Sequence, residues 1–178
     1  VKPSLLIASP QMRDPFFEHT VVLLWHHDEH GAFGVVVNRP MEPTIPQALV
    51  LPDDLDLTPY RGVKVVQGGP VETDTGTVVC RDRLDGVDQW NLEGGLGVTR
   101  SLEVLLTLMR AGKPVMLCLG YAGWGPGQLD EELRTGGWLW TDCDAALVFD
   151  VPAADRYDRA LATLGLTRTT VWMQPIDE

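Results

Sequence analysis

The side chains of this chain that are spaced for chemistry gather around one stretch, Leu119-Gly120-Tyr121-Ala122-Gly123-Trp124-Gly125-Pro126-Gly127-Gln128-Leu129-Asp130-Glu131-Glu132-Leu133. The apolar run Val115 to Leu119 leads into it and an acidic helix start closes it. A strand, a glycine-rich turn and a helix in that order have the outline of a nucleophile elbow, which needs Ser or Cys at its apex. The apex here is Tyr121-Ala122-Gly123, so hydrolase chemistry of that type is disfavoured. Cys118 belongs to the strand and is expected to act as a small core hydrophobe. Backbone N–H groups at a helix start attract phosphate. Against that use, Asp130, Glu131 and Glu132 already occupy the first turn, where they suit the helix dipole, and no Lys or Arg lies between Lys113 and Arg134. Neither GxGxxG nor the GxxxxGK signature of a P-loop is present.

A second glycine-rich element, Gly68-Gly69-Pro70, reads as a tight turn between strands. Folded beside Trp124, the two turns and the rings of Tyr121 and Trp124 would wall a concave small-ligand pocket. The candidate pocket residues are Asp14, Asn38, Gly68, Gly69, Tyr121, Trp124, Gln128 and Glu131. An enzymatic or nucleotide-binding alternative uses the same pocket with Asp14 or Glu131 as acid or base. No coherent catalytic set and no cofactor signature emerges. His26-His27-Asp28-Glu29-His30 is rich in metal ligands, but strand alternation sends His26 and His27 to opposite faces, and the rest fits a polar hairpin tip, so no metal site is expected. Trp124, Trp138 and Trp140 are expected in the core.

These residues need a scaffold, and the chain supplies alternating elements. Ser4 to Ala8, Thr20 to His27 and Ala32 to Asn38 read as strands, the last two as a hairpin buried on both sides. Met41 to Gly62 is proline-rich and acidic and is expected as a surface excursion with at most one helical turn near Gln47. Val63 to Gln67, Thr77 to Arg81 and Gln89 to Leu92 are further strands. Ser101 caps a helix bearing Leu102, Leu105, Leu106 and Met109, which Gly112 ends. Val115 to Leu119, Leu139 to Thr141 and Ala145 to Phe149 read as strands, Gln128 to Arg134 as a helix, and a last helix runs from Pro152 to Leu164. One α+β domain spanning residues 1–178, with many antiparallel neighbours, accounts for the pattern.

Composition narrows the function classes. Fourteen Lys and Arg against twenty-five Asp and Glu give a net charge of −11 with basic residues scattered singly, which disfavours direct nucleic-acid binding. The three cysteines, Cys80, Cys118 and Cys143, stand at wide spacings without a CxxC pair, which points to a reducing, cytoplasmic setting. No apolar run approaches the roughly 20 residues of a membrane span, so no membrane partner is expected.

Three blocks in series resemble the YqgE/AlgH family of small bacterial proteins. They are Met12-Arg13-Asp14-Pro15-Phe16-Phe17 with Thr20-Val21 and Gly31-Ala32-Phe33-Gly34-Val35-Val36-Val37-Asn38-Arg39-Pro40; Gly68-Gly69-Pro70-Val71; and Gly120-Tyr121-Ala122-Gly123-Trp124 with Gly127-Gln128-Leu129-Asp130-Glu131-Glu132 and Trp138-Leu139. The chain departs from the family at Glu18-His19, where many relatives are more basic. The resemblance implies an α+β fold with a bent, partly barrel-like mixed sheet surrounded by helices. One branch of the family carries a transcriptional-regulator label; taken with the absence of a coherent catalytic set, the resemblance implies a non-enzymatic protein acting through protein partners or a small ligand in gene regulation.

Overall fold

Burial on both faces decides the first strands. In a computed structural model of the chain, which describes residues 2–86 and 89–170, β1 (Ser4–Ala8), β2 (Val21–Asp28) and β3 (Gly31–Val36) are buried nearly throughout. Runs of Val and Leu that cannot turn a face to water must sit mid-sheet. The remaining strands are β4 (Pro40–Thr44), β5 (Lys64–Gln67), β6 (Val71–Cys80), β7 (Gln89–Asn91), β8 (Gly97–Thr99), β9 (Val115–Trp124) and β10 (Trp138–Thr141). The helices are α1 (Ile45–Ala48), α2 (Leu102–Arg110), α3 (Gln128–Arg134), α4 (Ala145–Phe149) and α5 (Ala153–Ala162).

The described strands join in the order β10-β1-β2-β3-β9-β6-β8-β7, and β4 reaches this path through β5. All pairings are antiparallel except β5 with β9. The result is a single α+β domain built on a curled half-barrel sheet with, among the described residues, five α-helices. β9 is its axis. Along one edge it pairs first with β5, at Cys118 and Leu119, and then with β3, at Ala122 to Trp124, while β6 holds the other edge. The main core lies under β1–β3, α4 and α5, where the Tyr157 hydroxyl donates to the Ala8 carbonyl at 2.6 Å. A second core packs Ile45, Leu55 and Tyr60 with Leu105, Leu108 and Met109 of α2.

Several elements differ from the sequence expectation, each for a physical reason. β9 continues through Trp124, so Gly120 to Trp124 are strand rather than turn, and the turn proper is Gly125 to Gly127. Residues 145–149 are helical, not extended: the Asp144 carboxylate caps α4 by accepting from the Ala146 N–H at 3.0 Å. The stretch 41–62 is no mere excursion, because β4 pairs with β5 and Ile45, Leu55 and Tyr60 are buried. β6 begins at Val71, ahead of Thr77, and β8 carried too few residues to show a period. In α2 the buried side is Leu105, Leu108 and Met109, while Leu102 is exposed. Trp140 points outward on β10 with 47% of its surface exposed, whereas Trp124 and Trp138 are core.

Candidate functional site

The two glycine-rich elements do meet. The Gly68 N–H donates to the Leu119 carbonyl at 2.7 Å, and its own carbonyl accepts from Val36 N–H at 2.8 Å. A Cβ on Gly69 would fall within the backbone of Tyr121, and one on Gly120, at φ +72°, within the carbonyl of Gly69. Side-chain-free residues on both segments thus let two backbones touch, which leaves no room for a ligand between them. Gly127, at φ +73°, is the other left-handed residue of the stretch.

The polar candidates are engaged locally. Asp14 accepts from the N–H groups of Phe16 and Phe17 at 2.8 and 3.1 Å. Asn38 bridges the Val21 N–H and the His19 carbonyl, each at 2.9 Å. The Gln128 side chain accepts from Gly125 N–H at 3.0 Å. Glu131 is exposed and paired with Arg134 at 2.6 Å, whose hydrogen bonds hold its carboxyl below the ordinary range. Trp124 is 7% exposed and packs against Phe17 and Trp138. At the hairpin tip, His26 pairs with Asp28 at 2.9 Å while His27 lies near Asp130 at 3.4 Å, on separate faces. Among the described residues no group of three His, Cys, Asp or Glu is placed to hold a metal ion.

Tyr121 faces elsewhere, into an open pocket of about 420 Å³ lined by Trp25, His26, Phe33, Glu72, Trp90, Arg100 and Tyr121. A register shift in β2 between Leu24 and His26 places Trp25 at an irregularity in the strand. Trp25 lies 5.9 Å from Trp90 and 6.3 Å from Phe33, ring centre to ring centre. Tyr121 meets Phe33 edge-on at 5.8 Å. Such spacings are those of attractive aromatic pairs, yet Phe33 remains 42% exposed. The β6–β9 register also shifts between Val71 and Gly76, and in that interruption Glu72 takes φ +45°, a conformation uncommon outside glycine. Arg100 lies over the Tyr121 ring at 5.7 Å. Among the described residues, neither Glu72 nor Arg100 has an ion-pair partner.

The pocket therefore offers flat apolar walls with one carboxylate and one guanidinium beside them. That suits holding a planar group. Of these lining residues the sequence candidates included Tyr121, for a pocket beside Gly68 and Trp124, but not Trp25, Phe33, Glu72, Trp90 or Arg100. Phe33 carried a usable signal: it is a large aromatic in a strand otherwise made of small and β-branched residues. The other four required knowing which strands become neighbours.

The AlgH-like family model matches residues 5–169. The chain belongs to the YqgE/AlgH family. It is 45% identical over 168 residues to a UPF0301 protein of Paraburkholderia phytofirmans, covering 90% of this chain and 86% of that one. A UPF0301 protein of Burkholderia vietnamiensis is 41% identical over 168 residues, with 91% and 87% covered. Among solved structures, the solution structure of AlgH from Pseudomonas aeruginosa matches with a TM-score of 0.75 and 35% identity, over 97% of this chain and 95% of that one. A crystal structure of a Corynebacterium diphtheriae protein shares the fold at a TM-score of 0.71 and 21% identity, over 91% and 86%.

Proposed function

We propose that this protein is a cytoplasmic, non-enzymatic binding protein whose aromatic pocket takes a small planar ligand, and that ligand occupancy alters its association with a protein partner. The observation carrying this reading is the ring of Trp25, Phe33, Trp90 and Tyr121 around an open space of about 420 Å³. A ligand slotted between such rings gains stacking and apolar burial, while Glu72 and Arg100 accept and donate at its edge. The local engagement of Asp14 and Glu131 favours binding over catalysis, since neither is aimed at a pocket as a general acid or base. A net charge of −11 favours regulation through a protein rather than by direct contact with DNA. Three free, buried cysteines suit a reducing compartment.

The test is a thermal-shift screen of planar aromatic and heteroaromatic compounds, with indole fluorescence as the second readout. A binder at 100 times its dissociation constant adds about 2.7 kcal/mol of stability. Phe33→Ala and Arg100→Gln, both at exposed positions, are expected to abolish or strongly weaken the shift while the unliganded protein stays folded. A binder that these substitutions leave untouched, or a screen with no binder among planar compounds, would overturn the reading.

A further inference from the structure

A second cleft lies where the start of β9 meets α5, and it differs in kind from the aromatic pocket. Arg156 of α5 reaches it partly buried, with Nε donating to the Val151 carbonyl at 2.9 Å and Nη1 to the Val37 carbonyl at 2.6 Å. Both partners are neutral. Among the described residues no carboxylate pairs with this guanidinium. The ionisable group that its charge feels, Cys118, is a fully buried thiol pushed up to about 12 by burial, hence uncharged at neutral pH. A partly desolvated cation without a counter-charge is costly to hold, and it is all the more unusual in a chain of net charge −11.

The surroundings repeat the sign. Lys64 and Lys113 line the same cleft, which contains no Asp or Glu among its lining residues. Lys113 is tied to Asp82 at 3.1 Å, whereas Lys64 has no ion-pair partner among the described residues. Tyr60, Phe149 and Met116 supply apolar wall, and the volume of about 420 Å³ is that of a small-molecule site. Tyr60 is fixed in place by its hydroxyl, which donates to the Lys113 carbonyl at 2.7 Å.

We propose that this cleft binds a small organic anion, its carboxylate or phosphate-ester group held by Arg156 and Lys64 and its apolar body set against Tyr60, Phe149 and Met116. A guanidinium that lines a cleft and has no carboxylate partner is suited to either planar or tetrahedral oxyanions. The site is separate from the aromatic pocket, so each can fail without the other.

The experiment titrates the full chain with benzoate, phenyl phosphate and neutral benzyl alcohol, following backbone amides by two-dimensional NMR. Both anions are expected to give saturable shifts at Gly112, Val115, Met116 and Ala153 with dissociation constants of about 1–10 mM, weakening as salt rises. Whichever anion binds more tightly identifies the headgroup class. Benzyl alcohol is expected to bind about tenfold more weakly. Arg156→Gln removes two backbone hydrogen bonds as well as the charge, so the deciding variant is Lys64→Gln at an exposed strand position, expected to weaken the anions about threefold and leave benzyl alcohol unchanged. Equal affinity for benzyl alcohol, no effect of Lys64→Gln, or no saturable shift at this cleft by about 50 mM would each overturn the proposal.

Discussion

Gly69 has no positive φ to excuse it; what forbids a side chain there is the backbone of Tyr121. Gly69→Ala is therefore expected to force β9 and the end of β5 apart, costing about 1–3 kcal/mol in urea denaturation. Gly62→Ala, where an added Cβ meets nothing within 4 Å, is the control and should change stability by less than about 0.5 kcal/mol. Equal effects at the two positions would refute the close-approach argument. The need for small residues at 68–69 and 120 was legible in the sequence, but the partner of each was not, since nothing local encodes a contact between positions some fifty apart. The polar candidates are engaged locally for a related reason. Asp14, Asn38 and Gln128 are residue types whose short side chains or amides readily bond nearby backbone groups, and each does so here. A functional reading of such residues competes with a capping one that costs less chain entropy.

Elements were readable where an unbroken apolar run or local start and stop residues marked them, as in β2, β3, α3 and α5, and failed where tertiary partners choose the conformation. Residues 145–149, Ala-Ala-Leu-Val-Phe, suit a buried strand or a buried helix equally by pattern. Asp144 breaks the tie. Its side chain satisfies a free N–H at the start of α4, and Leu147 and Val148 then face the main core. Asp144→Ala is expected to destabilise the protein by about 1 kcal/mol, and Asp144→Asn, which keeps an acceptor, by much less. Matched denaturation curves for the three proteins check this; equal losses for Ala and Asn would assign the effect to charge instead. The glycine-rich end of β9 failed in the opposite way. Glycines normally demote a strand, but Tyr121 to Trp124 are held in the sheet by Val71 on one edge and Ala32 to Gly34 on the other.

At the scale of the whole molecule, the fold class and the family were both legible because the three sequence blocks span the chain, whereas the two clefts were not, because each gathers side chains from distant elements. Burial also sets how the entire fold answers to alkali. The Cys118 thiol, wholly buried, is pushed up to about 12 from an ordinary 9, Cys143 rises to about 11, and burial raises the Tyr157 phenol to about 12. In each case the folded state keeps a proton that the unfolded chain releases at lower pH. The stability these groups contribute is therefore complete below about pH 9 and declines as pH rises toward 12. For Cys118 alone, three pH units correspond to on the order of 4 kcal/mol. Cys118→Ala isolates this contribution from the titration of every other group, which both proteins share. The variant is expected to be less stable than the parent at pH 8 because of the small cavity, and the gap should narrow by about 2 kcal/mol by pH 10.5, since only the parent still has a thiol to protect. Urea unfolding at the two pH values measures it directly. A gap that stays constant would mean that the sulfur reaches water before the chain unfolds, and that the centre of β9 opens locally in the native state.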